Sequence, residues 1–399
     1  MVLKSFKNTV YFILLACISC SAQELKTESY SNLGVAANRT ETYLSLLEGK
    51  QVGIVGNQTS VIFNTESDYV HLVDSLLNRN IHIQKVFAPE HGFRGKADAG
   101  EVIKDGIDMK TGLPIISLYG DQKKPKAEHL KNLDIMVFDI QDVGARFYTY
   151  ISTLHYIMEA CAEQNIPLLV LDRPNPNGHY IDGPVLEEEF KSFVGMHPVP
   201  VVHGLTIAEY ARMINGEGWL ANRIQCDLKI ISMRGYSPKL SYDLLIKPSP
   251  NLPNAKSINL YPSLCFFEGT NVNAGRGTSM QFQVFGSPFL DASVFDFEYT
   301  PTSSEGAKYP KHEDVLCYGR NLQNQSDLDY LNLDWLLQAY RHTQDQASFF
   351  NDLFNKLAGN TSLQRQIQQG KTADEIREIW ESDLKTYKQK IKPYLLYER

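Results

Sequence analysis

Short apolar runs that alternate with helical segments in the first half of the chain constrain its fold more than any other feature. The apolar runs are KQVGIVG, IHIQKVF, LPIISLYG, LDIMVFD and IPLLVLD, whereas DYVHLVDSLLNRN and FYTYISTLHYIMEACAEQN have the apolar spacing of helices. Strands that are almost continuously apolar are buried on both faces, and strands that alternate with helices form parallel sheets. The sequence therefore predicts an α/β fold with a Rossmann-like, mostly parallel sheet.

The length of the chain indicates two domains. At 399 residues it exceeds the roughly 250–300 residues at which a single hydrophobic core stops growing. The segment IKPSPNLPN is too rich in proline to be a helix or a central strand, and we expect it to join the domains. We predict a Rossmann-like domain over 24–246 and a second, smaller α+β domain over 247–399. The stretches LDWLLQAYRHTQDQASFFNDLFNKLAG and TADEIREIWESDLKTYKQKIKPYLLY are typical of amphipathic helices.

Residues 1–22 have the order of an export signal. Lys4 and Lys7 precede an apolar run from Val10 to Ile18, which is about half the length needed to span a bilayer. Small residues follow this run, and they allow either cleavage before Gln23 or lipid attachment at Cys17 or Cys20. We therefore expect an exported protein, either periplasmic or anchored as a lipoprotein to the outer membrane.

Composition and motifs argue against several classes of partner and cofactor. A net charge of −7 and a pI near 5.8 argue against nucleic acid, which favours a basic surface. The first strand is not followed by G-x-G-x-x-G, and no G-x-x-x-x-G-K-[ST] loop occurs, so no nucleotide cofactor is expected. Four cysteines outside the signal are widely spaced, which favours buried free thiols and gives no zinc-site pattern: Cys161, Cys226, Cys265 and Cys317.

Polar side chains follow several of the predicted strands at the point where each strand ends. Open parallel sheets bind ligands beyond the carboxyl ends of their strands. The polar residues that follow the strands, and which we expect at one edge of the sheet, are Glu90, His91, Asp139, Gln141, Asp142, Asp172, Arg173 and Asn175. This convergence predicts a binding or catalytic site at that edge.

The abundance of carboxylates at these positions points to glycoside cleavage. No G-x-S-x-G elbow is present, whereas the common route to glycoside hydrolysis needs two carboxyl groups, one of them protonated. The second half adds Glu268 after two phenylalanines, and apolar surroundings favour a protonated carboxyl. Arg276 lies between two glycines and can bind a carboxylate with two hydrogen bonds, unless it forms a structural salt bridge in a glycine turn.

Several longer motifs resemble one bacterial family, the exo-acting β-N-acetylmuramidases. The resemblance runs from about 34 to 397 and rests on FAPEHGFRG, FDIQDVGARFYTYISTL, LDRPNP, VHGLTIAEYA, SPNLPN and YPSLCFFEGTNVNAGRGT. It implies a Rossmann-like domain and a smaller C-terminal domain, an active site in the cleft between them, and release of N-acetylmuramic acid from the non-reducing end of peptidoglycan. It also implies a central catalytic role for Glu90. Many relatives have acidic-x-Pro-Phe where this chain has Ser279–Phe282, a departure from the family pattern beside the expected cleft.

Such a substrate makes further demands on the site. Muramic acid carries a lactyl carboxylate, so a cation is expected in its pocket, and the candidates are Arg94, Arg146 and Arg276. Tyr148 can face the sugar and Asn271 can bind it. Glu90 is predicted to be the general acid/base, assisted by His91. The second catalytic group is left open between Glu268, Asp139 and the acetamide of the substrate. A non-catalytic glycan-binding lipoprotein is the alternative function.

Overall fold

The computed structural model describes residues 33–94, 105–240 and 242–399. The predicted export signal, with Cys17 and Cys20, lies outside these described residues. The larger of the sheets has seven strands in the order β5-β6-β4-β1-β7-β8-β9, and all are parallel except β5. Their bounds are β1 Gln51–Gly56, β4 His82–Ala88, β5 Gly106–Ile107, β6 Pro114–Ser117, β7 Ile135–Asp139, β8 Leu168–Leu171 and β9 Leu228–Ile231.

Side chains on both faces of this sheet are buried. Along β7, Ile135 and Val137 belong to one apolar cluster, whereas Met136 and Phe138 belong to the other. The alternation follows from the two-residue period of a strand, and both faces are covered because helices lie on either side. The predicted α/β fold with a mostly parallel sheet is confirmed. Later strands are added outward from β1 on both sides of the sheet, β4 on one side and β7 on the other. The strand order therefore reverses between β1 and β7, which is where a Rossmann-like fold has its ligand-binding crevice.

The helices of the first half are shorter than the sequence patterns. They are α1 Thr40–Leu47, α2 Leu72–Leu77, α3 Ala127–Leu130, α4 Tyr150–Glu163 and α5 Ile207–Gly216. The prediction of one helix over DYVHLVDSLLNRN is wrong in its first part. There β3, Tyr69–His71, pairs with β2, Val61–Phe63, in an antiparallel hairpin. The helix begins only after His71, whose imidazole accepts a hydrogen bond from the Val73 amide at 3.3 Å and caps it.

A smaller antiparallel sheet and further helices make up the second half. Its strands, in the order β10-β12-β11, are β10 Val284–Ser287, β11 Phe297–Tyr299 and β12 Cys317–Asn321. The helices are α6 Ala255–Leu264, α7 Asp334–Arg341, α8 Phe354–Ala358, α9 Ser362–Gln368 and α10 Ala373–Lys390. The continuous helix predicted over 333–359 is interrupted between α7 and α8. The backbone of Phe349 and Asn351 pairs there with Asn271 and Gly269 instead of forming helical hydrogen bonds.

The end of the chain returns to the first half. Arg212 on α5 donates to the carbonyls of Pro393, Tyr394 and Leu395 at 2.9–3.0 Å. The hydroxyl of Tyr397 donates to Oδ2 of Asp172, at the end of β8, at 2.6 Å. The C-terminal segment therefore helps to cover the larger sheet, and the proposed domain division at 246/247 stays a prediction.

The four cysteines outside the predicted export signal form no disulfide. Cys161, Cys226, Cys265 and Cys317 are buried and unpaired, which confirms the prediction of free thiols. Within the described part of the chain, no helix combines the length and the apolar character needed to cross a bilayer.

The Asp172 carboxyl should make stability depend on pH. It is fully buried and accepts hydrogen bonds from Thr206, Ala208, Tyr397 and the Arg173 amide. Burial raises its pKa to about 7, although the hydrogen bonds oppose this rise. The pKa in the unfolded chain is about 3.9. The folded protein therefore binds the extra proton between about pH 4 and 7, and its contribution to stability is complete below pH 4 and lost as pH rises through 7.

Urea unfolding of the wild type and of Asp172→Asn at several pH values checks this expectation. One proton corresponds to a slope of at most about 1.4 kcal/mol per pH unit. The stability advantage of the wild type over the variant should shrink between pH 4 and 7. Tyr397→Phe keeps the ring but removes one donor, so it should extend the window to higher pH. Parallel profiles for the wild type and Asp172→Asn would contradict the assignment.

Candidate active site

A pocket lies where loops from both halves of the chain meet. Its empty space is about 560 Å³ including the opening to solvent. The first half contributes Glu90, His91, Phe147, Tyr148, Thr149 and Tyr150, and the second contributes Ser249, Asn251, Leu252, Tyr261, Cys265, Glu268, Arg276 and Phe282. The structure thus brings together five of the residues predicted from the sequence: Glu90, His91, Tyr148, Glu268 and Arg276.

Glu90 lies in a tight turn at the end of β4. Pro89 cannot donate to a sheet, and the amide of Gly92 closes the turn on the Pro89 carbonyl at 3.0 Å. His91 and Gly92 both have left-handed backbones, with φ of 70° and 78°. Two such residues in succession reverse the chain, and glycine adopts this conformation without steric cost. Phe93 then packs edge-on against His71, with ring centroids 4.8 Å apart, which anchors the turn to α2. The sequence of the turn therefore presents the carboxyl of Glu90 to the pocket.

Hydroxyl groups orient the Glu90 side chain. Thr149, at the beginning of α4, donates to Oε2 of Glu90 at 2.8 Å. The phenol of Tyr119 also hydrogen-bonds to Glu90, and burial together with the Glu90 charge raises the pKa of this phenol. The Tyr150 hydroxyl lies 3.4 Å from the main-chain carbonyl of Glu90 and accepts a hydrogen bond from Asn57 at 2.9 Å. The sequence analysis did not assign Thr149 or Tyr119, because nothing in a single sequence shows which hydroxyls meet a given carboxylate.

Glu268 and Arg276 form an ion pair that also lines the pocket. Nη1 of Arg276 is 3.2 Å from Oε2 of Glu268, and Nη2 donates to the Gly306 carbonyl at 3.2 Å. About a quarter of each side chain is exposed. Gly277 has φ of 80°, and a Cβ there would lie 2.6 Å from Pro310. The turn therefore needs glycine, and the structural salt bridge that the sequence left as one reading of Arg276 is present.

Lys311 and His312 hold the loop that carries Glu268. The Lys311 ammonium is mostly buried and donates to the carbonyls of Phe267, at 2.9 Å, Val272, at 3.0 Å, and Thr270. Burial lowers its pKa. Nε2 of His312 donates to the Asn271 carbonyl at 2.6 Å. These hydrogen bonds satisfy carbonyls in the second half of a 3₁₀-helical turn over Cys265–Gly269 and just after it, where a positive charge is favoured.

Aromatic rings line the apolar end of the pocket. Tyr261 packs edge-on against Phe147, Tyr148 and Phe282, with centroids 5.0–5.9 Å apart. The Tyr148 hydroxyl is engaged by the Pro248 carbonyl at 2.9 Å, so its ring rather than its hydroxyl is available to a ligand. Phe282, in the segment that differs from many relatives, has a left-handed backbone with φ of 51°. Such a conformation is costly for a bulky residue, and it turns the Phe282 ring towards Tyr261.

Several predicted residues at the sheet edge are engaged elsewhere. Asp139 is fully buried and accepts from Nε and Nη2 of Arg173 at 2.6 and 2.8 Å. Burial raises the pKa of Asp139, and the Arg173 charge opposes this shift. Asp172 joins α5 and the C-terminal segment to the sheet, as described above. None of these three side chains lines the pocket, so their geometry favours structural roles.

The remaining polar predictions also lie outside this pocket. Gln141 donates to the carbonyls of Asp142 and Pro174 at 2.7 and 2.6 Å. Asp142 accepts from the Gly144 amide at 2.7 Å. Asn175 donates to the Leu205 carbonyl at 2.9 Å. The Asn271 amide group is buried, and neither of its polar atoms has a hydrogen-bond partner among the described residues. These side chains mostly close turns at the edge of the sheet.

Two of the three candidate arginines are committed to other contacts. Arg94 pairs with Asp108 at 2.7 Å and Asp74 at 3.2 Å. Arg146 is completely buried and hydrogen-bonds four main-chain carbonyls. Arg276 is the candidate that lines the pocket, which singles it out as the cation for a substrate carboxylate.

Comparison with known proteins identifies the family of the chain. The sequence models of the exo-β-N-acetylmuramidase NamZ match residues 52–256 for the N-terminal part and 259–397 for the C-terminal part. The peptidoglycan β-N-acetylmuramidase NamZ of Bacillus subtilis (strain 168) is 37% identical over 380 residues, which cover 89% of each chain.

Solved structures give the same assignment of the fold. Two DUF1343 family proteins from Bacteroides fragilis NCTC 9343 each align over 92% of this chain and 99% of their own. One is 44% identical with a TM-score of 0.84, and the other is 28% identical with a TM-score of 0.76. The predicted resemblance is confirmed, as is the prediction of a glycoside hydrolase. The chain belongs to the exo-β-N-acetylmuramidase family.

Proposed function

We propose that this protein releases N-acetylmuramic acid from the non-reducing end of peptidoglycan fragments, with Glu90 as the general acid/base. The observation that carries the proposal is that Glu90 from the first half and the Glu268–Arg276 pair from the second line one pocket. Glycan binding alone does not require two carboxylates in one pocket. The non-catalytic alternative is therefore not favoured.

The proposed reaction follows from the chemistry of these groups. The Glu90 carboxyl donates its proton to the glycosidic oxygen while the bond from that oxygen to the anomeric carbon breaks. Glu268 or the acetamide oxygen of the substrate bonds to the anomeric carbon as the leaving oxygen departs, and the Glu90 carboxylate then takes a proton from the water that displaces this group. Thr149 fixes one oxygen of Glu90 and so limits its rotation. Glu268 or the acetamide of the substrate is thus the second catalytic group, which acts at the anomeric carbon. We assign no catalytic role to Asp139, because Arg173 holds it outside the pocket.

Recognition of the lactyl group is assigned to Arg276. A guanidinium has five N–H donors, and Arg276 uses one towards Glu268 and one towards Gly306. Its Nε is buried without an acceptor among the residues described. Arg276 therefore retains donors for a carboxylate. Peptidoglycan is also the reason to propose export: the signal-like residues 1–22 would bring the protein to the periplasm, free or lipid-anchored.

Glu90→Gln tests the catalytic assignment. A positioned acid contributes about 10²–10⁴ in rate, so kcat on an N-acetylmuramyl-N-acetylglucosamine disaccharide, whose leaving sugar needs protonation, should fall by at least 10² without loss of stability. Glu217→Gln is a matched control, because Glu217 is also partly buried and accepts a tyrosine hydroxyl, from Tyr394 at 2.8 Å, but lies outside the pocket. An unchanged rate for Glu90→Gln would remove Glu90 from the mechanism. Binding without release of the aglycone by the wild type would favour the non-catalytic alternative.

Arg276→Lys tests recognition of the lactyl group. The variant keeps a positive charge but loses the fork, so kcat/KM for a para-nitrophenyl β-N-acetylmuramide should fall about 10–100-fold, the value of one charged hydrogen bond. The corresponding β-N-acetylglucosaminide, which lacks the lactyl group, should be affected little. Arg320→Lys is the control, because Arg320 lies on β12 over the Phe295 ring and outside the pocket. Equal losses on both substrates would contradict the role of Arg276.

A further inference from the structure

Arg146 is an unusual buried charge. Its side chain is 0% exposed, and no ion pair joins it to a carboxylate in the described part of the chain. Nη1 donates to the carbonyls of Pro184 and Val199, both at 2.7 Å, and Nη2 donates to those of Leu357 and Ala358, both at 2.8 Å. Burial lowers its pKa to about 9, so the guanidinium still carries its charge at neutral pH. Four oriented carbonyl dipoles compensate this charge.

The acceptors of Arg146 come from both halves of the chain. Pro184 and Val199 lie in the loop region of the first half, whereas Leu357 and Ala358 form the last turn of α8 in the second half. One side chain thus fixes the distance between two segments that are more than 150 residues apart in sequence. Removing it would leave four buried carbonyls without these donors, and unsatisfied buried groups are costly.

On one side, Arg146 is continuous with the wall of the pocket that faces Glu90. Phe147, Tyr148 and Thr149 follow it directly and line the pocket, and Thr149 hydrogen-bonds the Glu90 carboxyl. The amide of Arg146 donates to the Val201 carbonyl at 2.7 Å, so its backbone is fixed as well. A shift of Arg146 would therefore move the hydroxyl that orients Glu90.

On the other side, α8 packs directly against the loop that carries Glu268. A Cβ on Gly269 would lie 2.5 Å from Cα of Phe354, the first residue of α8, so the two backbones are in contact. Just before α8, the side chain of Asn351 donates to the Glu268 carbonyl at 3.2 Å. The main-chain amide of Asn351 donates to the Gly269 carbonyl at 3.0 Å. The position of α8 therefore sets the position of Glu268.

We infer that Arg146 is a positioning residue that holds Glu90 and Glu268 at a fixed separation across the pocket. The inference rests on the proposed function, because it assumes that both carboxylates act on one sugar. Arg146 itself touches no substrate. A misplacement of about 1 Å can cost about 100-fold in rate, so the loss of this anchor should act on catalysis more than on binding.

The dependence on the leaving group separates positioning from stability. A para-nitrophenolate leaves with little help from an acid, whereas the sugar of an N-acetylmuramyl-N-acetylglucosamine disaccharide needs its oxygen protonated. Arg146→Met should lower kcat on the disaccharide at least tenfold more than kcat on the aryl muramide, with KM changed little. Arg146→Lys keeps the charge and up to three donors, so it should recover part of the lost rate, and it serves as the test if Arg146→Met does not fold.

Arg212→Met is the matched control, because Arg212 also donates to three carbonyls of a distant segment but contacts neither α8 nor the pocket. It should affect both substrates equally. Equal losses on the two substrates for both Arg146 variants would overturn the inference, since a reduced folded fraction produces that result. Glu90→Gln in the same assay identifies which idea fails. If Glu90→Gln loses kcat equally on the two substrates, the proposed function fails. If Glu90→Gln loses more kcat on the disaccharide but neither Arg146 variant does, only the role of Arg146 fails.

Discussion

Asp139 and Arg173 form a bidentate ion pair at the carboxyl edge of the sheet, and the integrity of that edge depends on it. Both side chains are buried, and the pair lies at the end of β7, beside the crevice where open parallel sheets usually bind ligands. Removing one partner from such a pair leaves an uncompensated buried charge, which is strongly destabilising. The ion pair therefore stabilises the edge of the sheet beside this crevice. The pocket opens instead beside β4, where the turn that carries Glu90 meets the second half of the chain.

Two cations that bind main-chain carbonyls then organise the segments that carry the carboxylates of this pocket. Arg146 joins the segment that orients Glu90 to α8, and Lys311 holds the loop that carries Glu268. Carbonyl dipoles stabilise a buried cation without introducing another carboxylate that would compete for protons near the site. In addition, each hydrogen bond fixes the backbone rather than a flexible side chain. Glu90 and Glu268 can thus lie on loops, which leaves them accessible to substrate, and still have defined positions.

The sequence predicted the sheet better than it predicted the site. Buried strands are apolar on both faces, so their pattern is visible without knowledge of their neighbours, and the Pro-flanked turn with Glu90 was recognisable from its local composition. The roles of Asp139 and Arg146 were not recognisable from the sequence. A charged residue near a strand end is equally suited to bind a ligand or to bind a buried partner that lies far away in sequence. The interruption of the helix between α7 and α8 also escaped prediction. Its cause is backbone pairing with Gly269 and Asn271, a long-range contact that overrides the local apolar periodicity.

The central claim is that Glu90 and Arg276 act on the same terminal sugar. A crystal structure of Glu90→Gln with an N-acetylmuramyl-N-acetylglucosamine disaccharide tests it most directly, since the variant should bind the substrate without cleaving it. The account predicts that the side chain at position 90 lies within hydrogen-bonding distance of the bridging oxygen, roughly 2.6–3.2 Å, while the lactyl carboxylate contacts the Arg276 guanidinium. A disaccharide bound with its bridging oxygen far from position 90, or with its lactyl group directed away from Arg276, would contradict the account.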